Sequence, residues 1–193
     1  HMDLLHVCKR AEDFKYGGRV AIGHVSKVSA LPPEKFAAVA KRLQSAGVAL
    51  TALPSTDIYL MGRAHDHNVP RGLTPTHKLL HHGVNCSLAT NNVLNPFTPF
   101  GDCSLLRMAN FYANVAQVGT AHDIAECFHM VTSRAAQLMN LSGYGLKAGN
   151  DADIVVLDCQ TVHEAVRELP PVLSVFKRGR RTVTREAARL HRP

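Results

Sequence analysis

No stretch of the chain approaches the ~20 uninterrupted apolar residues that a membrane-spanning helix needs, so no helical span is expected. The start, His1-Met2-Asp3, lacks the basic, then apolar, then small pattern of a signal peptide, and the expected location is the cytoplasm. Five cysteines, Cys8, Cys86, Cys103, Cys127 and Cys159, form no C-x-x-C pair, and their odd number argues against a disulfide framework. They are expected as buried thiols. No G-x-S-x-G occurs, which removes the exposed serine nucleophile of that motif. The formal charge is +7, but no interleaving of aromatic and basic residues accompanies it, nor any helix-turn-helix or zinc-finger spacing. Much of the positive charge lies in the tail, at Lys177, Arg178, Arg180, Arg181, Arg185, Arg189 and Arg192, and reads as a solvated face in preference to a nucleic-acid surface.

What is present is a chain of 193 residues, 46% hydrophobic and 19% charged, which is enough for an apolar core. A repeated order of apolar strand, loop, amphipathic helix and glycine runs through its first half. The first strand is read at Arg19 to His24. A helix follows, opened by Pro32-Pro33, carrying Phe36, Val39, Ala40 and Leu43 on one face and stopped by Gly47. It feeds a strand from Val48 to Leu53. After a polar loop rich in histidine and proline, Thr74-Pro75 opens a helix ending at Gly83, and Val84 to Ala89 reads as a third strand.

This β-α-β-α-β order implies parallel strands, whose chemistry gathers in the loops after their carboxyl ends. His24, the segment Ser55 to Asp57, and Asn91-Asn92 all fall there. From Asp102 to Leu141 the pattern is helical, with Thr120 and Asp123 as a capping pair and Leu105, Met108, Ala109, Tyr112 and Val115 as an apolar stripe. A helix is also read at Leu5 to Phe14. Beyond Gly149 the character changes to short strands at Asp153 to Leu157, Val172 to Lys177 and Arg181 to Thr184, with a brief helix capped by Thr161 and Glu164. Three parallel strands cannot close a barrel, which takes about eight, so further strands are expected from an N-terminal portion or from another copy of the chain.

The segment from Leu146 to Asp158, Leu-Lys-Ala-Gly-Asn-Asp-Ala-Asp-Ile-Val-Val-Leu-Asp, resembles the return strand of the amidohydrolase superfamily. Thr132 to Leu141 resembles the helix that precedes it. Within that superfamily the likeness is to the bacterial cytosine deaminases, carried by Gly23-His24-Val25-Ser26, Asp57 to Arg63, Arg71-Gly72-Leu73-Thr74 and Asn91 to Phe97. The resemblance implies an α/β fold: strands six to eight of a (β/α)8 TIM-type barrel in residues 1–145, and C-terminal β-sandwich strands plus the basic tail in 146–193. It also implies one divalent metal ion, iron or zinc, whose bound water attacks the ring carbon bearing the amino group.

On that resemblance His24 matches the strand-six histidine that touches the metal-bound water, a task for an imidazole that accepts or donates near neutral pH. His24 and Asn91 are the expected catalytic and metal-contacting residues, with Asn92, Phe97 and Asp57 at the substrate. The strand-eight position departs from the family: cytosine deaminases carry an aspartate pair where this chain has Asn91-Asn92. A carboxamide takes no proton from water and binds a hard cation weakly. Two readings stay open for Asn91-Asn92, hydrogen bonding to a heterocycle or amide, and capping of the turn that follows. Phe97 either packs on a substrate ring or anchors its loop. The His65-Asp66-His67 pair and His81-His82 read as solvated. The H-x-E with P-C-x-x-C signature of the zinc nucleotide deaminases is absent.

The expectation is therefore part of a metal-dependent amidohydrolase acting on non-peptide C–N bonds of a small heterocyclic or amide substrate, inactive alone. The competing expectation is a non-catalytic short paralogue that self-associates or binds a partner through an open barrel face.

Overall fold

The computed structural model describes residues 3–191; Arg192 of the basic tail lies outside the described residues. Helix α1 (Leu4–Asp13) leads to strand β1 (Val20–Gly23). A 3-10 turn over Ser26–Ala30, helix α2 (Pro33–Ala46) and strand β2 (Val48–Ala52) follow. Two short helices, α3 (Pro54–Leu60) and α4 (Thr76–His81), precede β3 (Cys86–Leu88). Helices α5 (Leu105–Val115), α6 (Ala121–Met130) and α7 (Ser133–Leu138) come next. The chain ends with β4 (Ile154–Leu157), α8 (Val162–Glu168), β5 (Val172–Lys177) and β6 (Arg180–Thr184).

The first three strands form a parallel sheet in the order β1-β2-β3, with Val20 opposite Val48 and Leu50 opposite Cys86. Helices must cover such a sheet, and the apolar spacing in α2 does this. Val39, Ala40, Leu43 and Ala46 fall on one face and are buried with Val48, Leu50 and Ala52 of β2. In α5 the fully buried Tyr112 closes another side of the core. Its hydroxyl accepts the His77 backbone N–H at 3.1 Å and bonds His77 Nδ1 at 2.7 Å, so a polar atom enters the interior already partnered. Thr120 and Thr161 cap α6 and α8 through the N–H groups of Asp123 and Glu164, as the sequence spacing predicts.

Several expectations change in detail. The segment after β2 is not a loop at Ser55 to Asp57. Pro54 stands at the start of α3, where its fixed φ suits a first turn and its missing N–H costs nothing. The helical stretch from Asp102 to Leu141 is three helices, interrupted near Gln117, which has φ +53°, and at Thr132. Leu105, at the first position of α5, is exposed while Leu106 packs on the core instead. Cys8, Cys86 and Cys127 are buried thiols, but Cys103 is exposed and Cys159 half-buried, since both lie in loops outside the core.

The second sheet is antiparallel, in the order β4-β5-β6, and the β5-β6 turn passes through Arg178 and Gly179, both with positive φ, as a tight hairpin requires. Asp153 holds this turn by accepting the Arg178 N–H at 2.7 Å and pairing with Lys177. No residue of β4, β5 or β6 belongs to the buried core among the described residues, and Val155, Val156 and Val183 are exposed. No helix of the described residues is long and apolar enough to cross a membrane.

Gly47 ends α2 in the left-handed region at φ +63°, with its N–H turned back to the Leu43 and Gln44 carbonyls. A Cβ there would lie 2.8 Å from Gly18 N and 2.9 Å from Gly17 Cα, and both are backbone atoms that cannot swing aside. Gly47→Ala is expected to lower stability by about 1–3 kcal/mol, read from the midpoint of chemical unfolding. Gly119→Ala, whose Cβ would meet nothing within 4 Å, is expected to stay within about 0.5 kcal/mol of the parent.

Candidate functional site

Each strand of the parallel sheet delivers polar residues just beyond its carboxyl end. His24 follows Gly23 of β1, Asp57 lies in the first turn of α3 after β2, and Asn91-Asn92 follow β3. His24 has a left-handed backbone, φ +65°, a conformation histidine tolerates better than bulky residues but that still costs energy. Its carbonyl is held there by the Ser26 N–H and by the Ser26 hydroxyl at 2.6 Å.

The imidazole is gripped at both nitrogens. Nδ1 lies 2.7 Å from Asp57 Oδ1, and Nε2 lies 2.9 Å from Asn91 Nδ2. An ionised carboxylate only accepts, so Nδ1 carries the proton and Nε2 presents its lone pair to the Asn91 N–H. The chain of bonds continues. Asn91 Oδ1 accepts the Thr56 hydroxyl at 2.9 Å and Asn92 Nδ2 at 3.0 Å, and Thr56 bonds Thr98 Oγ1 at 2.9 Å. Asn92 Oδ1 in turn accepts Asn95 Nδ2 at 2.9 Å. Asn92 Nδ2 also reaches Thr56 Oγ1 at 3.4 Å, so Asn92 is taken up by its own loop and by the first turn of α3.

Asp57 is 5% exposed, whereas the His24 side chain keeps 47% of its surface open. Burial pushes the Asp57 carboxyl above the usual carboxylate range, and the His24 hydrogen bond draws it only partly back. Its second oxygen, Oδ2, is buried with no hydrogen-bond partner, which is consistent with that direction. Phe97 is 60% exposed on the loop beyond Asn91. A cleft of about 550 Å³ opens at His24 between β1 and α1. The larger cleft, about 660 Å³, lies on the far side of α3 against Tyr59, Arg63 and Phe100 and touches neither His24 nor Asn91. The His24–Asp57 pair is not part of that lining.

The structure therefore brings His24, Asp57, Asn91 and Asn92 together and leaves Phe97 at the rim. Thr56 lies in the segment Ser55 to Asp57 expected at the strand ends, whereas Thr98 was not anticipated from sequence. The signal for Thr56 and Asp57 was the helix start at Pro54, whose first turn presents both. His65 and His67 are solvated as expected. His81 and His82 are exposed too, His81 also bonding Asp123 and His82 standing edgewise to Phe36 at 5.9 Å.

The cluster does not make a metal site from its own donors. His24 Nε2 faces a carboxamide N–H, and the Asn91 oxygen already accepts two hydrogen bonds. Asp57 Oδ1 is occupied by His24, and no three His, Cys, Asp or Glu ligands converge here among the described residues.

Residues 3–183 match the model of the amidohydrolase family. The chain belongs to that family. It is 26% identical over 168 residues to a pterin deaminase of Rhizobium rhizogenes, covering 86% of this chain and 38% of that protein. It is 30% identical over 107 residues to N-isopropylammelide isopropyl amidohydrolase of a Pseudomonas species, covering 55% of this chain and 27% of that protein. Among solved structures, 5-methylcytosine deaminase from Klebsiella pneumoniae, liganded with 5-fluorocytosine, superposes with a TM-score of 0.92 at 24% identity, over 99% of this chain and 46% of its own. An adenosine deaminase from Xanthomonas campestris with bound zinc gives 0.62 at 16% identity, over 87% and 38%. The alignments thus span less than half the length of each of these proteins.

The raised Asp57 carboxyl has a consequence for stability. The folded state holds the Asp57 proton more tightly than the unfolded chain does. Its contribution is therefore fully present at acid pH and is lost as pH rises through the raised pKa. Asp57→Asn, which carries no titrating proton, is expected to gain stability relative to the parent as pH rises above the ordinary aspartate range, about 4. Urea unfolding of both proteins at a series of pH values checks this, and a constant difference would refute it.

Proposed function

We propose that residues 1–145 supply strands six to eight of a (β/α)8 barrel and residues 146–193 supply β-sandwich strands, within a cytoplasmic amidohydrolase that cleaves a non-peptide C–N bond in a small heterocyclic or amide substrate. The observation that carries this reading is the Asp57–His24–Asn91 relay at the carboxyl ends of three parallel strands, where such folds gather their chemistry. The names of the relatives, deaminases and an amidohydrolase of ring-nitrogen compounds, support the substrate class.

In this reading His24 Nε2 accepts a proton from the water whose oxygen bonds to the carbon bearing the amino group. It then returns that proton to the departing nitrogen as the C–N bond breaks, releasing ammonia or an amine. Asp57 holds the imidazole in the tautomer that leaves Nε2 free and offsets the imidazolium charge that forms. Asn91, fixed by Thr56 and Asn92, donates toward the reacting centre once substrate displaces its bond to His24. Phe97, exposed at the rim, stacks on the substrate ring, and Asn92 borders it. A divalent metal, iron or zinc, would take its protein ligands from outside this cluster, and no step above runs through it.

The test is an assay of ammonia or amine release from cytosine, a pterin and an N-alkyl ammelide, by the chain alone and by the chain combined with a polypeptide supplying the other five barrel strands. No turnover is expected alone. The combination is expected to turn over one of these classes, with His24→Ala lowering kcat by about 10²–10⁴-fold. A stable combination silent on all three would overturn the proposal.

A second reading has its own observation. Among the described residues β1 pairs only with β2, so there its other edge is free beside the cleft at Leu4, Val7 and Ile22. A non-catalytic chain that self-associates through that edge would also cover it.

A further inference from the structure

We propose that α4 and α6 together form a binding site for a borderline divalent transition-metal ion of the zinc class, with His81, His122 and Asp123 as ligands. This site lies away from His24 and does not rest on the activity proposed above. His81 is the last residue of α4, and His122 and Asp123 are in the first turn of α6, so two separate helices present three donors to one point. One ligand atom from each lies within 4.8 Å of the other two. Two imidazoles and one carboxylate form a donor set suited to zinc, nickel or copper and poorly suited to magnesium or calcium, which prefer oxygen alone.

The ligand geometry is prepared. His81 Nε2 and Asp123 Oδ1 are 2.7 Å apart, and a tetrahedral ion with bonds of about 2.0 Å needs its donors only about half an ångström farther apart. The other carboxylate oxygen accepts the Thr120 hydroxyl at 2.8 Å, so the ligand is oriented from behind. The Asp123 side chain is 11% exposed while that of His81 is 50% exposed, leaving a buried anion beside an accessible imidazole. A hydrogen bond explains His81 with Asp123. It does not explain His122, whose ring stands 5.9 Å from that of His81 with no hydrogen-bond partner among the described residues. On binding, His81 moves its proton from Nε2 to Nδ1 and the ion takes the vacated lone pair. Three protein ligands leave a fourth position for water, and the ion ties α4 to α6. Lys78, one turn before His81, opposes the cation, and the Asp123 carboxylate offsets it.

The purified chain is titrated with zinc chloride by calorimetry and with cobalt(II), followed by visible absorption, which reports a tetrahedral environment. One saturable equivalent is expected. His81→Ala and His122→Ala are each expected to weaken it at least about tenfold, while His65→Ala with His67→Ala leaves it unchanged. Zinc is expected to raise the melting temperature of the parent but not of His122→Ala. Because His122 is exposed and makes no hydrogen bond, that variant keeps the fold, and its circular dichroism without metal verifies this. Absence of saturable binding, binding that His122→Ala leaves intact, or binding lost in His24→Ala would each overturn the site.

Discussion

Parallel pairing of β2 with β1 on one side and β3 on the other determines where each functional group stands. Because all three strands run the same way, their carboxyl ends share one edge, and residues 24, 57 and 91, far apart in sequence, meet within hydrogen-bond distance. The register is fixed by burial. Val48, Leu50 and Ala52 alternate inward along β2, and slipping by one residue would turn Ala49 and Thr51 into the core. Asp57, in the first turn of α3 just beyond β2, is buried by the fold itself, and that burial creates the electrostatic tension at the site.

That tension is local and directional. A buried carboxyl with one unpartnered oxygen lies under an imidazole that is nearly half exposed, on a residue whose backbone is held left-handed by Ser26. Each of these costs stability. Together they fix one ring nitrogen as donor to Asp57 and leave the other as acceptor from Asn91. Asn91 completes the arrangement because a carboxamide both donates to His24 and accepts from Thr56, which an aspartate at this position could not do while ionised.

Most of the element order was legible in the sequence, because the apolar periodicity agrees with the proline start and glycine stop of α2 and with the threonine caps of α6 and α8. What was not legible was long-range. α3 was hidden by its length and by the polar run after it, and with it the hydroxyls of Thr56 and Thr98, whose partner lies 35 and more residues away. His24 was found because it follows a strand, and Asn91 because it departs from a family pattern. His81 is exposed as its local sequence suggests, but nothing local announces its bond to Asp123, 42 residues on. Side-chain pairs formed between elements leave no periodic trace, whereas faces and caps do.

The two sheets are unequal in a way that bears on how the chain opens. β2 is hydrogen-bonded on both sides and buried with α2 above it, whereas β4 to β6 contribute nothing to the core and β6 is exposed along its whole length. Local opening follows such differences. The C-terminal hairpin should therefore exchange its amide protons through small fluctuations that leave the rest folded, and β2 only through global unfolding. Helix α8 nevertheless ties the C-terminal sheet to α5 and α6 through the buried Ala165 and Val166, so a protease would meet the exposed stretch from residue 140 to 149 before it met the helix that holds the two parts together.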